Sequence, residues 1–569
     1  MPIKSRWTVE VPNSSLQTWV FGSSSGGLSD GKAFIDPDRP TSHCLSFQEY
    51  RLVAKQIAVG LRDAGMKPGD RVLVFSGNNI FFPVVFMGIV MVGGIFTGAN
   101  PSFVPRELAY QLKDSGAKFM IAAEYGIATA VQAAKQAGMS VENVFTFDTT
   151  LPGSSDVEKP ALHGTRHWTE LLALREQAAQ FDWVEPSDTR TTTCCLNYSS
   201  GTMGVPKGVE ISHHSYVANG VGVRMVSMLR PDYEGLRKRS VALCFLPMYH
   251  VYGQTYFVAT FPQQGTPVYV MPSFDLVKML SHIQTFKVTH LATVPPILVA
   301  MAKNPIVKKF DLSSVEYLGC GAAPLPPEAT MEAEKAFPRP DTFVRQGWGM
   351  TEVTCTCLAW DGSSRVRSSS VGEVMPNCGA KLMSVDGTRE ITEANTRGEL
   401  WVTGPTLMRG YWQNPQATAE TIVVDRDGTR WLKTGDIAYV ESYQPGGLFH
   451  IVDRIKELIK VKGNQVAPAE LEALLLERTD IADVGVVGVT IDGEEVPRAY
   501  VVRSQGARPS ESDIIQWVES RVARHKRLKG GVAFTDAIPK NPVSILFTLL
   551  THSAGHYSKV IPYLHLCLL

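Results

Sequence analysis

Residues 198–209 read YSSGTMGVPKGV, and this short stretch decides how the whole chain is interpreted. Its small residues let backbone N–H groups and hydroxyls approach phosphate oxygens closely, and Lys207 adds a positive charge. It is not a Walker A loop, because Pro206 precedes the lysine and Gly208 follows it. A flexible Ser/Gly linker is the plain alternative, but linkers do not usually carry a fixed Pro-Lys-Gly. The pattern predicts a phosphate-binding loop that follows a strand (TTTCCLN) and precedes a helix.

Composition and charge bound the class of protein. The 569 residues carry 55 Lys and Arg against 55 Asp and Glu. The length predicts several domains, and the neutral balance, with no basic stripe, argues against a nucleic-acid partner. The nine cysteines fit no zinc ribbon or CxxC pair, which indicates reduced, mostly buried thiols of an intracellular protein. The start, MPIKSRWTVEVPNSS, has no apolar core, so no secretory signal is expected.

One apolar stretch, FFPVVFMGIVMVGGIFTG at residues 81–98, is long enough on paper to cross a membrane. It contains Pro83 and paired glycines, lacks flanking basic residues and sits between ordinary globular patterns. We expect a buried helix of an α/β layer and no transmembrane segment, although shallow membrane contact stays open.

Strand-like runs alternate with helical periodicity in the first half of the chain. RVLVFSG, KFMIAA, NVFTF and VALCFLP are typical of strands, and residues 49–65 have a helical period that ends at Gly65. The alternation predicts stacked α/β layers with largely parallel sheets. GELWVTGP and GLFHIVDR predict strands of a later, turn-rich region. From residue 457 onward, strand and helix patterns predict a small α+β domain, with the main boundary at residues 453–456.

Further motifs follow the loop in a fixed order. They are LPMYHVYG at 246–253, GCGAAPL at 319–325, QGWGMTE at 346–352, WLKTGD at 431–436 and VDRIKELIKVKGNQVAPAELE at 452–472. With the loop, these motifs resemble the signature of the adenylate-forming (ANL) superfamily, which includes acyl-CoA synthetases, 4-coumarate–CoA ligases and beetle luciferases. Met203 stands where that family usually has a second threonine. The resemblance leans toward 4-coumarate–CoA ligase-like acyl-CoA synthetases of fungi.

The resemblance implies a fold and a division of the chain. It implies an α/β protein whose large N-terminal domain, residues 1–453, has several subdomains with stacked sheets and a β-rich subdomain. A small mobile α+β C-terminal domain would occupy residues 454–542, and residues 543–569 form a divergent tail. In the family, the small domain rotates about a hinge, here at Lys456, between two half-reactions.

Site residues are carried over from the resemblance position by position. The expected ATP- and AMP-binding residues are Ser199, Ser200, Gly201, Thr202, Gly204, Lys207, Gly321, Ala322, Ala323, Gln346, Gly347, Thr351, Asp436, Arg454 and Gln465. By the same resemblance, Thr351 would bond the α-phosphate and Asp436 would accept both ribose hydroxyls. Glu352 would hold Mg²⁺, a hard ion that takes carboxylate and phosphate oxygens.

The resemblance also indicates which residues would contact the acyl group and which would act with CoA. His250, Tyr252 and Trp348 would line the acyl pocket, with Trp348 standing where tyrosine is commoner. Lys460 and Gly463 match positions that the family uses in its thioester-forming conformation. The residues expected to act in catalysis are Lys207, His250, Thr351, Glu352 and Lys460. The pocket shape stays open, so aromatic, fatty and polyketide-like acids all remain candidates.

The implied function is that of an AMP-forming acid–thiol ligase, an acyl- or aryl-CoA ligase that uses ATP, Mg²⁺ and CoA. A small carboxylate would attack the α-phosphate of ATP, giving acyl-AMP and releasing pyrophosphate, and the CoA thiol would then displace AMP to give the thioester. In the first step, negative charge builds up between the carboxylate and the phosphate, which are both anions. Positioning and charge neutralisation should therefore dominate catalysis. A stand-alone adenylation enzyme with a separate carrier protein, or an impaired member, are the alternatives. Secondary metabolism and a cytoplasmic or peroxisomal location are expected from fungal members.

The chain departs from the family pattern near its end. Residues 538–542 begin the loop that normally carries a C-terminal catalytic lysine, but Val-Ser-Ile follows where a small residue, Gly and Lys are usual. Neither Lys540 nor Lys559 replaces that lysine by register. Because Val-Ser is the in-frame translation of a common intron start, residues 543–569 are predicted to be a translated intron, with a genuinely divergent tail as the alternative. If this chain is the real protein, adenylation would be impaired, whereas thioester formation from supplied acyl-AMP would largely survive.

Overall fold

The structure is a computed structural model that describes residues 2–152, 162–183, 185–199, 206–455, 457–461, 464–491 and 494–538. The expected site residues outside this part are Ser200, Gly201, Thr202, Gly204, Lys456 and Gly463, and the tail also lies outside it. Only the backbone of Lys460 and Gln465 is described. Two compact units divide the chain. Unit 1 comprises the chain up to Lys381, Trp401–Thr434 and Val440–Phe449, and unit 2 comprises Leu382–Leu400, Gly435–Tyr439 and the chain from His450 onward.

The α-helices of the described residues are short, and most alternate with strands. In chain order they are α1 (Leu16–Phe21), α2 (Phe47–Asp63), α3 (Phe82–Met91), α4 (Pro105–Ser115), α5 (Ile127–Ala137), α6 (Arg175–Gln180), α7 (His213–Met228), α8 (Tyr233–Arg239), α9 (Val251–Gly253), α10 (Phe261–Gln263), α11 (Leu276–Phe286), α12 (Pro295–Lys303), α13 (Pro327–Glu334), α14 (Pro415–Thr421), α15 (Pro468–Leu476) and α16 (Glu511–Glu519).

The strands of the described residues form several sheets. In chain order they are β1 (Ile3–Lys4), β2 (Lys32–Ile35), β3 (Cys44–Ser46), β4 (Arg71–Phe75), β5 (Ile95–Ala99), β6 (Phe119–Ala123), β7 (Val144–Phe147), β8 (Arg166–His167), β9 (Thr193–Ser199), β10 (Lys207–Ser212), β11 (Ala242–Cys244), β12 (Val268–Val270), β13 (His290–Thr293), β14 (Tyr317–Cys320), β15 (Val344–Gln346), β16 (Trp348–Met350), β17 (Cys355–Ala359), β18 (Glu373–Val374), β19 (Gly379–Met383), β20 (Glu390–Ile391), β21 (Gly398–Thr403), β22 (Ile422–Val424), β23 (Arg430–Val440), β24 (Phe449–Arg454), β25 (Ile459–Val461), β26 (Asn464–Val466), β27 (Ile481–Ile491), β28 (Glu494–Arg503) and β29 (Val532–Phe534).

Two seven-stranded sheets of unit 1 carry the predicted α/β alternation. The first has the order β10-β9-β5-β4-β6-β7-β8 and is parallel except for the antiparallel pair β10–β9. The second has the order β15-β14-β13-β11-β12-β2-β3 and is parallel except for β2–β3. Parallel strands require crossover connections, which the intervening helices supply. The predicted fold class, α/β with largely parallel sheets, is confirmed.

The first layer follows from local sequence. The Ser46 hydroxyl accepts from the Glu49 amide and the Glu49 carboxylate accepts from the Ser46 amide, so this capping box starts α2 at Phe47, two residues before the predicted period. All ten residues of α3 are buried, as expected for a helix that is apolar on every side and lies inside a protein. The apolar stretch 81–98 is therefore divided between α3 and the strand β5. No helix of the described residues is both long and apolar enough to span a membrane.

A third, β-rich sheet has the order β1-β19-β21-β23-β22, with β20 on β19 and β24 on β23. A smaller sheet has the order β16-β17-β18. In unit 2, the long antiparallel pair β27–β28 and the parallel strand β29 pack with α15 and α16. Leu471, Leu475, Ile481, Val501 and Ile514 are fully buried in that core, each worth ~1.5–3 kcal/mol of burial.

One local prediction is wrong. The residues after the phosphate loop begin a strand, β10, and the helix α7 starts only at His213. Val209 and Ile211 alternate with polar neighbours, and β10 pairs with β9 in register, so a non-local partner decides the local structure. The eight described cysteines form no disulfide and seven are buried, as expected for reduced thiols.

Candidate active site

The strands β9 and β10 frame the predicted phosphate loop. Ser199 is the cross-strand partner of Lys207, and Tyr198 is the partner of Gly208. The two ends of the loop are therefore held side by side at one edge of the first sheet. Asn197, just before this pair, shares a buried two-way amide contact with Gln254, at 2.9 and 3.3 Å. The pairing gives the loop a rigid base.

Helix α4 braces both ends of the same loop. The Tyr110 hydroxyl donates to the Pro206 carbonyl at 3.0 Å, and the Tyr198 hydroxyl donates to the Asp114 carboxylate at 2.5 Å. Burial and the Asp114 carboxylate together raise the pKa of Tyr110 to about 12 and raise the pKa of Tyr198 further. Both phenols therefore remain hydrogen-bond donors throughout the physiological pH range.

A distant segment, residues 408–412, adds to the edge of β10. The Trp412 amide donates to the Gly208 carbonyl at 2.7 Å, and the Arg409 amide donates to the Glu210 carbonyl at 2.9 Å. This antiparallel pairing directs Tyr411 toward the loop. The Lys207 ammonium lies 4.8 Å from the centroid of the Tyr411 ring, within cation–π range.

Tyr411 also contacts the predicted magnesium ligand. Its hydroxyl donates to Oε1 of Glu352 at 2.9 Å, and Glu352 is only 5% exposed. Burial and the nearby Glu352 charge raise the pKa of Tyr411, which keeps the phenol a donor. Lys207, Tyr411 and Glu352 thus form one contiguous group of cation, aromatic ring and carboxylate. A carboxylate offers about four lone-pair sites, so one phenol bond leaves capacity for a hard cation.

The QGWGMTE motif forms a tight turn that orients Thr351 and Glu352. A Cβ at Gly349 would lie 1.5 Å from the Cys355 carbonyl oxygen, so only glycine fits between β16 and β17. Thr351, which is buried, and Glu352 follow in a single 3₁₀ turn. The Met408 amide donates to the Glu352 carbonyl at 2.9 Å, which ties this turn to the segment that carries Tyr411.

The predicted adenine loop is held by the Gln346 side chain. Its amide nitrogen donates to the Leu325 carbonyl at 3.1 Å, and its oxygen accepts from the Leu325 amide at 2.8 Å. Ala322 adopts φ +74°, a left-handed conformation that costs a non-glycine residue about 1 kcal/mol. Gly347 donates to the Cys320 carbonyl at 2.9 Å, so Gln346 and Gly347 both position the 321–325 loop.

On the predicted acyl side, His250 is a neutral imidazole. Its Nδ1 accepts from the Tyr252 amide at 3.3 Å, and burial lowers the pKa of His250 to about 4. The ring proton therefore resides on Nε2. A Cβ at Gly321 would lie 3.3 Å from the Tyr252 ring, and one at Gly319 would lie 3.9 Å from its hydroxyl. Small residues on β14 make room for this ring.

Aromatic contacts continue from Tyr252 along the second sheet. Ring centroids are 5.4 Å apart for Tyr252–Tyr256, 6.1 Å for Tyr256–Phe261, 5.7 Å for Phe261–His290 and 5.8 Å for His290–Tyr317. These spacings lie in the range of favourable aromatic pairs. Trp348, the substituted motif residue, is buried in β16 opposite Leu358.

Unit 2 brings together two of its predicted site residues. The Arg454 guanidinium lies 3.3 Å from the Asp436 carboxylate. Burial raises the pKa of the adjacent Asp453 to about 6, although the backbone amides of Arg454 and Ala469 both donate to it. Lys460 and Gln465 are cross-strand partners in the β25–β26 hairpin.

Sequence reasoning missed three residues of this arrangement, Tyr110, Asp114 and Tyr411. The signal for Tyr411 was its place in GELWVTGPTLMRGYW, residues 398–412, which resembles a structural stretch of the family. Tyr110 and Asp114 carry no such signal, because their contact with the loop depends on how α4 packs.

Comparison with known proteins places the chain in a family. The profile described as "AMP-binding enzyme" matches residues 28–412, and the profile "AMP-binding enzyme C-terminal domain" matches residues 470–543. The chain belongs to the AMP-binding enzyme family. The predicted superfamily and the prediction that the protein is an enzyme of this class are therefore confirmed.

Relatives narrow the class to CoA ligases. A phenylacetyl-CoA ligase of Aspergillus niger is 33% identical over 542 residues, covering 94% of this chain and 95% of the relative. A 4-coumarate–CoA ligase-like protein of Arabidopsis thaliana is 35% identical over 509 residues, covering 89% and 85%. ATP-bound MatB from Rhodopseudomonas palustris has the same fold, with a TM-score of 0.78, 23% identity and coverage of 94% and 97%. The homologues are thus acyl- and aryl-CoA ligases, some of them fungal, as the sequence predicted.

Proposed function

We propose that the protein is an ATP-dependent acyl- or aryl-CoA ligase that forms an acyl-AMP from a carboxylic acid and transfers the acyl group to CoA. The observation that carries the proposal is the group Lys207, Tyr411 and Glu352 beside the two ends of the phosphate loop. Membership of the AMP-binding enzymes and relatives named CoA ligases support it.

The chain's own residues suit the first half-reaction. The Lys207 ammonium would neutralise phosphate charge, and the Thr351 hydroxyl would bond the α-phosphate. The neutral His250 presents an Nε2–H that would orient the substrate carboxylate without adding charge. Because two anions must meet, such fixed donors lower the barrier by positioning and charge stabilisation. Glu352 would hold Mg²⁺, which would supply further neutralisation of the triphosphate.

We assign residues 1–453 and 454–542 as the two functional domains. Asp436, in the first, would accept both ribose hydroxyls, and Arg454, in the second, would also contact the nucleotide. Roles in the second half-reaction fall to other residues of the C-terminal domain. Lys456 would be the hinge, and Lys460, Gly463 and Gln465 would contact the thioester-forming complex. Substitution of Lys460 by alanine should slow thioester formation from supplied acyl-AMP while leaving pyrophosphate release unchanged.

A panel assay tests the proposal. The purified chain, in its given form and with a family-type Gly-Lys after Pro542, is incubated with ATP, magnesium, CoA and diverse carboxylic acids. We expect the completed form to release pyrophosphate and to form a CoA thioester with at least one acid, both lost in Glu352→Gln and both retained in the exposed-site control Glu393→Gln. Absence of acyl-AMP, pyrophosphate and thioester with every acid in the completed form would overturn the proposal.

The same assay separates the alternative of a carrier-loading adenylation enzyme. That enzyme would release pyrophosphate and accumulate acyl-AMP without forming a thioester on free CoA.

The chain departs from the family pattern after Pro542, and this departure predicts different results for the two half-reactions. Because the given form lacks the family's C-terminal lysine, it should adenylate poorly yet still form thioester from supplied acyl-AMP. Sequencing the spliced transcript decides the origin of the tail, and mature messages that all read through it would refute the intron.

We further propose an intracellular enzyme, cytoplasmic or peroxisomal, that serves secondary metabolism. The buried, unpaired thiols of the described residues suit a reducing compartment. A fluorescent fusion to the N-terminus, imaged with a peroxisomal marker, tests the location. Secretion of the fusion would contradict it.

A further inference from the structure

A buried arginine stands next to the predicted nucleotide motif without an adequate acceptor. Arg345, on β15, is 3% exposed, and its Nε and Nη1 make no hydrogen bond within the described part of the chain. Its Nη2 has only a long contact, 3.4 Å, with the Ser364 carbonyl. Removing a cation from water without a compensating anion is unfavourable, so such a residue needs a reason to be there.

Neighbouring charges do not compensate Arg345. Arg230 and Arg365 act on it as cations and Asp341 as an anion, and Arg230 is itself paired with Asp232 at 3.1 Å and with Glu316 at 3.8 Å. Asp341 is itself shared, with Arg339 at 3.4 Å and Arg365 at 3.9 Å. Two aromatic faces hold the guanidinium, but an aromatic face offers less stabilisation than an anion. Among the described residues no carboxylate lies within ion-pair distance of the Arg345 guanidinium, which is held by the rings of Tyr317 and Phe343.

This arginine adjoins the acyl side of the site. Arg345 is the cross-strand partner of Gly319 on β14, and partners in register share a face of the sheet. The space over Gly319 is taken by the Tyr317 ring and the Tyr252 hydroxyl. The Arg345 guanidinium lies 5.6 Å from the centroid of the Tyr317 ring. Arg345 therefore lies directly behind the aromatic run that begins at Tyr252.

That aromatic run borders an internal space. Tyr252, Tyr256, Tyr317 and His290 are all only partly buried by surface area. Their chain neighbours Phe257, Leu291 and Leu318 are fully buried, so this accessible surface lies inside the unit and borders an internal space. Tyr317, whose ring contacts the Arg345 guanidinium, is the polar group of that space that Arg345 backs.

We propose that Arg345 makes the far end of the acyl pocket an anion-accepting subsite, so that preferred substrates carry a second carboxylate remote from the reacting one. The inference rests on the proposed function and names its substrate class. The Tyr317 hydroxyl, polarised by the guanidinium behind it, would donate to the distal carboxylate. Charge-assisted bonds of this kind are about twice as strong as neutral ones. The distal carboxylate of the substrate would thus supply the negative charge that compensates the Arg345 guanidinium.

A binding experiment tests this without requiring turnover. Acyl-sulfamoyladenosines, stable mimics of acyl-AMP, are prepared in two matched pairs, octanoyl with 7-carboxyheptanoyl and phenylacetyl with 4-carboxyphenylacetyl. Isothermal titration with the full chain should give at least tenfold tighter binding of the carboxylated member in one pair or both. Arg345→Gln should reduce that preference to within about twofold while changing affinity for the uncharged member by less than about threefold.

Controls separate a binding role from a structural one. Arg365 is a half-exposed arginine of the same region, and Arg365→Gln should keep the preference for the carboxylated ligand. Tyr317→Phe should lose part of that preference. Because Arg345 is an uncompensated charge, Arg345→Met should fold with an unchanged or higher melting temperature. A wild-type chain that binds both pairs without preference, or an Arg345→Gln variant that keeps it, would overturn the inference and leave the ligase proposal standing. If no acyl-sulfamoyladenosine binds, the proposed function fails together with this inference.

Discussion

The Tyr411 hydroxyl donates to the buried Glu352 carboxylate at 2.9 Å while the ring of the same tyrosine lies 4.8 Å from the Lys207 ammonium. One side chain therefore positions both the predicted metal ligand and the predicted phosphate cation. Tyr411→Phe keeps the ring and removes only the bond to Glu352. Since hydrogen bonds to charged groups are worth ~1.5–3 kcal/mol, magnesium-dependent binding of an ATP analogue should weaken by about 10- to 100-fold.

Titration of the ATP analogue at several magnesium concentrations checks this result. The weakening should shrink at high magnesium, because the metal then compensates for a less ordered Glu352. Tyr269→Phe, which alters a ring stacked on Phe286, is the matched control and should bind normally. Equal weakening in the presence and absence of magnesium would indicate that Tyr411 does not act through Glu352.

The brace from α4 makes a prediction about the phosphate loop. Tyr110→Phe removes the donor to the Pro206 carbonyl and leaves the packing unchanged. We expect nucleotide affinity to fall about 3- to 10-fold, with a loss of stability of about 1 kcal/mol, because the loop end is less well held. Titration of ATP together with thermal unfolding measures both. A loss of stability with unaltered nucleotide affinity would assign Tyr110 to the fold alone.

Acid sensitivity should come partly from His213 in unit 1. Its Nδ1 accepts from the Leu16 amide at 3.1 Å, and burial lowers the pKa of His213 to about 4. Between pH 6.5 and pH 4 the unfolded chain binds the proton and the folded chain does not, so the free energy of unfolding falls as pH falls, by up to ~1.4 kcal/mol per pH unit for this group. His213→Gln should flatten the dependence in that window. Parallel curves for the variant and the wild type would contradict the prediction.

A carboxyl group in unit 2 should have the opposite pH dependence. Burial is the main cause that raises the pKa of Glu472 to about 8, and its Oε1 accepts from the Val486 amide at 2.8 Å. Between pH 4.5 and pH 8 the folded chain retains a proton that the unfolded chain has lost, so stability from this group falls as pH rises. Glu472→Gln keeps the acceptor and removes the titration.

We expect Glu472→Gln to be more stable than the wild type by at least ~1 kcal/mol at pH 8.5 and nearly equal to it at pH 4.5. Denaturant unfolding, followed by the fluorescence of Trp517 in unit 2, gives both values. The exposed Glu519→Gln is the control. A difference between variant and wild type that is the same at both pH values would refute the assigned ionisation.

Much of the fold could be predicted because its signals are local. The helical period at residues 49–65 corresponds to α2 at Phe47–Asp63, and the apolar runs RVLVFSG and KFMIAA correspond to β4 and β6. Each of these hydrophobic patterns lies within a single helix or strand, where the spacing of the apolar residues indicates which face is buried. The prediction of a helix directly after the phosphate loop is wrong because the strand β10 depends on pairing with β9 and with residues 408–412.

The sequence by itself determined the family and the order of the motifs, and it predicted Lys207, Thr351 and Glu352 as site residues, because those signals are residue types within short windows. Only the tertiary structure decided that Tyr411 joins Lys207 to Glu352 and that Nε and Nη1 of Arg345, behind Tyr317, have no acceptor among the described residues. Both facts depend on which strands lie side by side. Hydrogen bonds and charge compensation act over a few ångströms of space, and distant parts of the chain supply the partners.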